Sequence, residues 1–545
     1  MRSSRSTYKV NDIVAKASLL WTFAAFLLAP FPSLALDRAD SGADIDRILD
    51  EGFNHSEVEK TAAYLTDRIG SRVTNSPGMR AAEDWTSEQL KSWGLRNAHK
   101  EAVPFGRGWS VLSSQVAMLA PRPFQLKGIP IAWTPGTNGT ITAPIAFAPM
   151  EREADLERWR GKLAGRIVLI SPPGSVAELT QPIFRRWTAE ELSKLGDYRP
   201  ATRTQAAAES MATYASFPPI LDRFLKSEGA LAWIKISRED YRAIHGEGEG
   251  YLIGQTPTLP ALEMAAEDYR RLVRLAADGT EPTLTMSTTV RYEDGDSNAH
   301  NVIADIPGSD SHAGYVMVGA HLDSWHAADG AMDDGAGVTI TMEAARILSK
   351  LGVHPKRTIR FALFAGEEEG LVGSRAYVAQ HIASRPIDAR TDINGAQRMI
   401  AESTSWPILP KTGYADIKVY FNLDIGSGRI RGATALNSVT ALPLLKEWLS
   451  PFEKLGVTSF GVGAGDSGSD MTSFLDAGIP SVSFTPDYRD ILSIHHTDSD
   501  TFDHLSMQDL RYNAVIIAGL LLNAANSETS LPVLPMPRPN MEPAP

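Results

Sequence analysis

Residues 315–325 read YVMVGAHLDSW, an apolar run that ends in a histidine and an aspartate. The part YVMVGAHL (315–322) has the length and composition of a buried strand. His321 therefore stands where a strand of an α/β sheet ends, and functional groups of open sheets collect at that edge. Asp323 follows two residues later and could accept the second ring N–H of His321, which would fix the orientation of the imidazole.

A rhythm of strand and helix extends around this run, from about residue 288 to residue 526. Alternating strands and helices predict an α/β domain whose sheet is covered by helices on both faces. The other predicted strands are NVIADI (301–306), TIRFALFAG (358–366), DIKVYFNLDI (416–425) and SVSF (481–484), and the predicted helices are 335–352, a segment after Gly370, 437–450 and 506–526.

The first half of the chain differs in its predicted secondary structure and in its composition. Helices are predicted over 54–69, with Ser56 as its N-cap, and over 77–93, followed by a strand at 112–119. Residues 123–287 are rich in proline, glycine and short β-like runs, which predicts a separate β-rich domain with a partly helical, irregular insertion near 174–228. The predicted order is a signal peptide (1–35), a first catalytic part (36–122), the β-rich insert (123–287), a second catalytic part (288–528) and a proline-rich tail (529–545).

The N-terminus has the pattern of an export signal. Basic residues precede an apolar run at 17–31, and Ser33 and Ala35 give a small-x-small cleavage site. An uncleaved membrane anchor is the alternative, but the run is short for a span and contains Pro30. We therefore expect cleavage after Ala35 and a periplasmic or extracellular protein without a stable membrane span.

Composition narrows the partners and the chemistry. The formal net charge of −12 argues against nucleic acid as the main partner, because phosphate binding needs basic patches. The chain has no cysteine, so any metal must be held by histidine and carboxylate alone. Composition leaves the oligomeric state open, a homodimer included.

An aspartate pair lies in the glycine-rich stretch GAMDDGAG (330–337), directly before a predicted helix. Such a pair could simply cap the helix. The glycines would also allow a sharp bend that returns one carboxylate to the sheet edge. We take Asp333 as the candidate for a shared metal ligand and Asp334 as the candidate cap, although spacing alone does not decide between them.

Three glutamates in GEEEG (366–370) directly follow an apolar strand. A run of like charges is usually a solvated face, but its position at the end of a buried strand favours a functional role. Consecutive side chains point in different directions, so one can bind metal while its neighbour faces a water molecule. We assign Glu368 as a ligand, Glu367 as the general base, and Glu369 outside the site.

Two more candidates come from the last third of the chain. Asp424 ends the strand-like DIKVYFNLDI, and IHHTDSDT (494–501) supplies two adjacent histidines. Both His495 and His496 are available, but chelation by adjacent residues is awkward, and we choose His496. Three other histidines, His300, His326 and His381, are expected to be structural or on the surface.

Taken together, the chain offers five metal ligands in order, namely His321, Asp333, Glu368, Asp424 and His496. Three carboxylates and two imidazoles can hold two zinc-like ions when one carboxylate is shared. A free carboxylate beside them can act as a base on water. This set predicts a two-metal hydrolase.

The segments HLDSW, GAMDDGAG, AGEEEGLVGS, FNLDIGSG and IHHTDSDTFDHL resemble the co-catalytic zinc exopeptidases, a family of bacterial aminopeptidases and glutamate carboxypeptidases. The likeness is strongest to the plasma glutamate carboxypeptidase group with its bacterial relatives. The resemblance implies a mixed, mostly parallel sheet flanked by helices, with an inserted protease-associated domain at the β-rich 123–287.

The resemblance also implies roles for individual residues. His321 and Asp424 would hold one zinc ion, Glu368 and His496 the other, and Asp333 would bridge the two. Glu367 would be the base, and Asp323 would orient His321. The substrate would be a peptide or dipeptide.

The favoured reading has three alternatives, which differ in the terminal peptide bond that is cleaved or in the class of protein. An aminopeptidase or dipeptidase is favoured because a free substrate amine suits metals and carboxylates, and a carboxypeptidase is the alternative within the class. The loop GVGAGDSGSD (461–470) has no arginine, which argues against glutamate specificity. Outside the class, a glutaminyl-cyclase-like transferase would bind one zinc ion and a receptor-like binding protein none.

Overall fold

The computed structural model describes residues 41–176, 185–194, 205–248, 256–386, 407–463, 468–487 and 491–534. The predicted signal peptide (1–35) and most of the predicted tail (529–545) lie outside these residues. In the described part of the chain, no helix is both long and apolar enough to cross a membrane.

Eighteen strands are assigned among the described residues. They are β1 (Arg96–Pro104), β2 (Gly108–Ala120), β3 (Phe124–Leu126), β4 (Gly128–Pro130), β5 (Ile141–Phe147), β6 (Ile167–Leu169), β7 (Ala232–Ile236), β8 (Ala261–Met264), β9 (Thr283–Glu293), β10 (Asn298–Ile306), β11 (Tyr315–His321), β12 (Thr358–Phe364), β13 (Ala383–Ser384), β14 (Leu409–Pro410), β15 (Ile417–Asn422), β16 (Ile430–Leu436), β17 (Ser459–Gly463) and β18 (Ser481–Pro486).

The α-helices, together with short 3₁₀ and π turns, connect these strands. They span Ser41–Asn54, Val58–Ala63, Pro77–Ser92, Ala189–Lys194, Gln205–Ser227, Ala266–Ala277, Ala336–Lys350, Val372–Tyr377, Leu442–Leu449, Met471–Leu475, Ile491–Ile494 and Met507–Asn526.

The strand that opened the sequence analysis, β11, lies inside an eight-stranded sheet of order β1-β10-β12-β11-β15-β18-β16-β17. β11 runs parallel to β12 and β15, whereas β10 pairs antiparallel with β12. The prediction of a mixed α/β sheet is therefore confirmed.

Side chains of β11 alternate between two apolar cores, because successive residues of a strand face opposite sides of the sheet. Val316 and Val318 belong to one core and Tyr315 and Met317 to the other. The helices Ala336–Lys350 and Met507–Asn526 pack against each other within the first core. A strand that is apolar on both faces needs cover on both, which explains its continuous hydrophobic run.

A second eight-stranded sheet has the order β3-β2-β9-β5-β6-β7-β8-β4. Its strands β5 to β8 are parallel neighbours, and the long β2 pairs antiparallel with β9. This sheet reaches beyond the predicted insert 123–287 at both ends, because β2 begins at Gly108 and β9 ends at Glu293. We call it the insert sheet, and its identity as a protease-associated domain stays a prediction.

Some helices and strands were not predicted from the sequence. The strand β16, IRGATAL, carries glycine and two alanines, so its local β preference is low, and it is a strand because it pairs with β17 and β18. The helix Ser41–Asn54 was not predicted either. Within the insertion 174–228, Gln205–Ser227 is helical despite Pro218 and Pro219, and residues 177–184 and 195–204 lie outside the described part.

Candidate metal centre

The parallel strands β12, β11 and β15 end side by side, and three predicted site residues follow from that register. His321 is the last residue of β11 and pairs with Phe364 of β12, while Gly319 pairs with Asn422 of β15. Glu368 and Asp424 come just after these two neighbouring strands. The carboxyl ends of parallel strands thus bring residues distant in sequence to one edge.

Asp333 lies between the two predicted imidazoles. Its Oδ1 is 3.1 Å from Nε2 of His321, and its Oδ2 is 3.0 Å from Nε2 of His496. Oε2 of Glu368 is 2.9 Å from the same nitrogen of His496, and Oδ1 of Asp424 is 3.9 Å from Nε2 of His321. The structure therefore brings all five predicted ligands into one cluster.

The neighbour of Asp333 has a different environment. Oδ1 of Asp334 accepts a hydrogen bond from the backbone N–H of Gly337 at 2.9 Å, and its Oδ2 accepts one from His321 N–H at 3.2 Å. Asp334 thus accepts a hydrogen bond from the first turn of the helix Ala336–Lys350, while Gly335 occupies the N-cap position. Ligand atoms of Asp334, His321 and Asp424 also lie within 4.8 Å of one another.

Both adjacent histidines reach the cluster. The rings of His495 and His496 stack with their centroids 3.6 Å apart, and Nε2 of His495 is 3.2 Å from Oδ2 of Asp333. The side chain of His495 is 41% exposed and that of His496 is 13% exposed. His496 contacts two buried carboxylates rather than one, so it occupies the more enclosed position.

Asp323 contacts His321 mainly through its backbone. Nδ1 of His321 is 3.1 Å from the carbonyl oxygen of Asp323 and 3.8 Å from its Oδ1. The carboxylate accepts hydrogen bonds from the backbone N–H groups of Glu367 at 3.2 Å and Glu368 at 3.1 Å. Asp323 therefore ties the glutamate turn to the end of β11. Glu369 turns away and accepts a hydrogen bond from Thr74 Oγ1 at 2.8 Å.

Two supporting residues carried no recognisable sequence signal. Asp500 accepts hydrogen bonds from the backbone N–H groups of Met332 at 2.6 Å and Asp333 at 3.2 Å. Arg72 is fully buried and donates to the carbonyl oxygens of Leu322 and Gly330 at 2.7 and 2.8 Å. Both partners are backbone groups far away in sequence, so only the folded chain reveals these contacts.

The carboxylates are crowded enough to disturb one another's titration. Burial raises the pKa of Glu368 to about 7, against the charge of His496, and it raises the pKa of Glu367 well above its usual value. Burial alone would lower the pKa of His321, but the hydrogen bond to Asp333 and nearby carboxylates outweigh it and raise that pKa. The cluster thus has an excess of negative charge.

The donor set matches what zinc requires. Oε1 of Glu368 is buried without a hydrogen bond, and Oδ2 of Asp333 is buried beside the imidazole nitrogens of His495 and His496 without a hydrogen bond. A buried carboxylate oxygen without a donor is costly unless a cation is near. Imidazole nitrogens and carboxylate oxygens are common zinc ligands, and several carboxylates against two imidazoles leave charge for a cation to neutralise. The residues therefore fit bound divalent zinc.

A small cavity opens beside the cluster. Its lining includes the acidic residues Asp333, Glu368 and Asp500 and the aromatic Trp325. Among the described residues that line it, none is lysine or arginine. The cavity is therefore suited to a cationic rather than an anionic group.

Comparison with known proteins relates the second half of the chain to a family. Residues 301–521 match the model of peptidase family M28. Carboxypeptidase Q of Bos taurus is 26% identical over 472 residues, which cover 86% of this chain and 85% of that protein.

Two solved structures share the fold. A peptidase M28 precursor from Shewanella amazonensis SB2B is 24% identical, with a TM-score of 0.64 and coverage of 91% of this chain and 99% of that one. BSAP, a zinc aminopeptidase from Bacillus subtilis, is 19% identical, with a TM-score of 0.54 and coverage of 86% and 95%. The chain is therefore a zinc metallopeptidase that matches peptidase family M28 over residues 301–521 and is similar to carboxypeptidase Q over 86% of its length.

Proposed function

We propose that this chain is an exported exopeptidase with two zinc ions, and that it removes a residue from the amino end of a peptide or dipeptide. One observation carries the proposal. The two carboxylate oxygens of Asp333 face two different imidazoles, those of His321 and His496, at 3.1 and 3.0 Å. A carboxylate with an imidazole on each side is the arrangement that a shared ligand between two metal ions requires.

The ligands divide into two sets around Asp333. His321 and Asp424 would hold one zinc ion, and Glu368 and His496 the other. When bound, the zinc ions would lower the pKa of a water molecule and polarise the carbonyl group of the scissile bond. Asp323 would keep the Glu367–Glu368 turn at the end of β11, since its carboxylate accepts both backbone N–H groups.

Glu367 would move the proton. It takes a proton from the attacking water while the water oxygen bonds to the carbonyl carbon, and it delivers that proton to the leaving nitrogen as the C–N bond breaks. Burial and the neighbouring Asp424 and Glu368 raise the pKa of Glu367, which favours a carboxyl group that can hold the proton between the two steps.

The acidic lining of the cavity supports an amino-terminal substrate end. Asp500 is the acid of the described lining that has no assigned zinc role, so it could attract a free amine, and no lysine or arginine of the described lining offers a partner for a substrate carboxylate. The second candidate is a carboxypeptidase. It is favoured by the match to carboxypeptidase Q over 86% of the chain, which is far more than the catalytic region alone.

One substrate offered in several forms separates these candidates. We would assay the protein without residues 1–35, with zinc added, on a peptide with free ends, with a blocked amino end and with a blocked carboxyl end. Loss of cleavage only on blocking the amino end supports the aminopeptidase. Loss only on blocking the carboxyl end supports the carboxypeptidase, and loss with either block supports a dipeptidase.

Metal counting supplies the control for reaction class. Two zinc ions per chain are expected for the exopeptidase. One zinc ion without peptide cleavage would support the glutaminyl-cyclase-like transferase, and none would support the receptor-like protein. Export is tested by the N-terminal sequence of the protein recovered outside the cytoplasm, which should begin at Leu36.

A further inference from the structure

A short segment that connects two strands of the insert sheet contacts the candidate metal centre. Residues 244–248 lie between β7 and β8 in the sequence. The N–H of Ile244 donates to Oδ1 of Asp498 at 3.0 Å, and the N–H of Asp498 donates to the carbonyl oxygen of Ile244 at 2.9 Å. His245 forms an antiparallel bridge with Thr497. The segment is thus paired with the loop that carries His496.

The pairing is close and specific. The N–H of Gly246 donates to the carbonyl oxygen of His496 at 2.7 Å. A Cβ atom at Gly246 would lie 2.8 Å from Cβ of Ala327 and 2.8 Å from Cδ1 of Ile129, so a side chain would push the segment away. His496 itself has φ of 58°, a left-handed conformation that non-glycine residues adopt at a cost unless their surroundings hold them.

The segment 244–248 also contacts the imidazole ring of His496. Oε1 of Glu247 is 2.6 Å from Nδ1 of His496 and 2.9 Å from Nε2 of the buried His245. A carboxylate only accepts hydrogen bonds, so Nδ1 of His496 must carry the proton in this contact. In the neutral imidazole this leaves the lone pair on Nε2, which faces Asp333 and Glu368, the predicted ligands on the same side.

We propose that Glu247 is a positioning residue, by which the insert sheet holds His496 in the tautomer and orientation that bind zinc. The inference rests on the proposed function, because it needs zinc at the Glu368–His496 side. Carboxylates that accept the second N–H of a metal-binding histidine raise its basicity and fix its ring. This side of the centre is therefore completed from the insert, while the His321–Asp424 side is built within the main sheet.

Another reading of the same atoms makes Glu247 a ligand of a third ion. Ligand atoms of His245, Glu247 and His496 lie within 4.8 Å of one another. The positioning role is favoured because Oε1 of Glu247 makes a hydrogen-bond contact with Nδ1 of His496 at 2.6 Å, whereas its 2.9 Å contact with Nε2 of His245 lacks hydrogen-bond geometry.

The test measures zinc affinity rather than activity. Zinc-loaded wild type, Glu247→Ala and Glu247→Gln are titrated with a competing chelator, and released zinc is counted. We expect Glu247→Ala to release one of its two zinc ions at a 10- to 100-fold lower concentration of free chelator than wild type. The affinity for the other zinc ion should be unchanged. Glu247→Gln keeps an acceptor oxygen for the Nδ1 proton, so it should recover part of the loss.

The control is Glu239→Ala, which removes the same charge from the same connection. Glu239 lies 3.8 Å from Arg238, which is also 3.8 Å from Oε1 of Glu247, so the control keeps the cationic neighbour of Glu247 in place. Its zinc titration should match wild type, and urea unfolding of the metal-free variants shows that each one folds.

Three outcomes would overturn the inference. If wild type and Glu247→Ala bind both zinc ions with equal affinity, Glu247 has no positioning role. The proposed function would not be affected by that outcome. A third zinc ion in wild type that His245→Gln abolishes would replace it with the ligand role. A wild type that binds no zinc would overturn the proposed function together with the inference.

Discussion

Glu367 and Glu369 flank Glu368 and have the same side chain, yet their surroundings differ. Burial raises the pKa of both carboxyl groups. Glu369 is engaged by Thr74 Oγ1 at 2.8 Å, whereas Asp424 is among the charges that influence Glu367. Adjacent residues at the end of a strand turn their side chains in different directions, so one run of glutamates can serve a reaction and a structural contact at once.

Replacing the proposed base tests this division. Glu367→Gln cannot accept a proton, so kcat should fall about 10²- to 10⁴-fold while two zinc ions stay bound. The measurements are initial rates on the free-ended peptide and zinc per chain by elemental analysis. Glu369→Gln keeps an acceptor for Thr74 and should retain most activity. Full activity of Glu367→Gln would assign the base elsewhere.

Arg72 is a second residue whose role depends on distant partners. Its guanidinium donates to carbonyl groups of residues 70, 322, 329 and 330, which border the aspartate turn. Arg72→Met leaves buried carbonyl oxygens without donors and should destabilise the protein by about 3–5 kcal/mol in urea unfolding. The exposed Arg68→Met should change little. Equal unfolding midpoints for the two variants would contradict this account.

Among elements, the join between β15 and the helix Ala336–Lys350 is the tightest near the site. A Cβ atom at Gly337 would lie 1.8 Å from the carbonyl oxygen of Leu423 and 2.4 Å from the carboxylate of Asp334. The helix start therefore packs directly on the backbone that leads to Asp424. This close approach fixes where Asp333 and Asp424 stand relative to each other.

A methyl group at this join should be costly. Gly337→Ala forces the two backbone segments apart, so we expect a loss of about 1–3 kcal/mol in unfolding free energy and weaker zinc binding. Gly295→Ala is the matched control, because no heavy atom lies within 4 Å of its added Cβ. Wild-type thermal stability of Gly337→Ala would show that the helix can shift without harm.

For the whole molecule, the crowded carboxylates predict a link between metal and stability. Removal of zinc leaves buried like charges facing one another, so the metal-free protein should unfold at lower temperature and regain stability on zinc addition. A saturated site at 1,000 times its Kd contributes about 4 kcal/mol. Calorimetry with and without chelator measures the shift, and identical curves would argue against resident zinc.

Acid should loosen the contact between the two sheets. Burial lowers the pKa of His326 to about 4, and its Nε2 lies 2.7 Å from the carbonyl oxygen of Pro130 in β4. Between about pH 4 and 6.5 the unfolded chain binds the proton and the native chain does not, so stability falls as pH falls through that window.

His326→Gln should flatten this part of the stability curve. The loss between pH 7.5 and pH 5, measured by urea unfolding of zinc-loaded protein, should shrink by on the order of 2 kcal/mol. The exposed His312→Gln should keep the wild-type slope. A slope unchanged in His326→Gln would mean that other groups set the acid limit.

The sequence by itself determined the α/β class and the candidate ligands. The run YVMVGA (315–320) has no polar position to separate one face from the other, because both faces of the strand are buried. This requirement acts on each residue of the strand, so the local sequence shows it. Acids and histidines at the ends of such runs converge because parallel strands end at one edge of a sheet. These two physical rules were enough to predict His321, Glu368 and Asp424 as neighbours.

Only the tertiary structure decided which groups complete the cluster. Arg72, Glu247 and Asp500 act on backbone or ring atoms that are far away in sequence, and no local pattern encodes such a contact. The same holds for β16, whose glycine and alanines became a strand through its partners. The extent of the insert sheet follows from the pairing of β2 with β9, a long-range match that composition could not reveal.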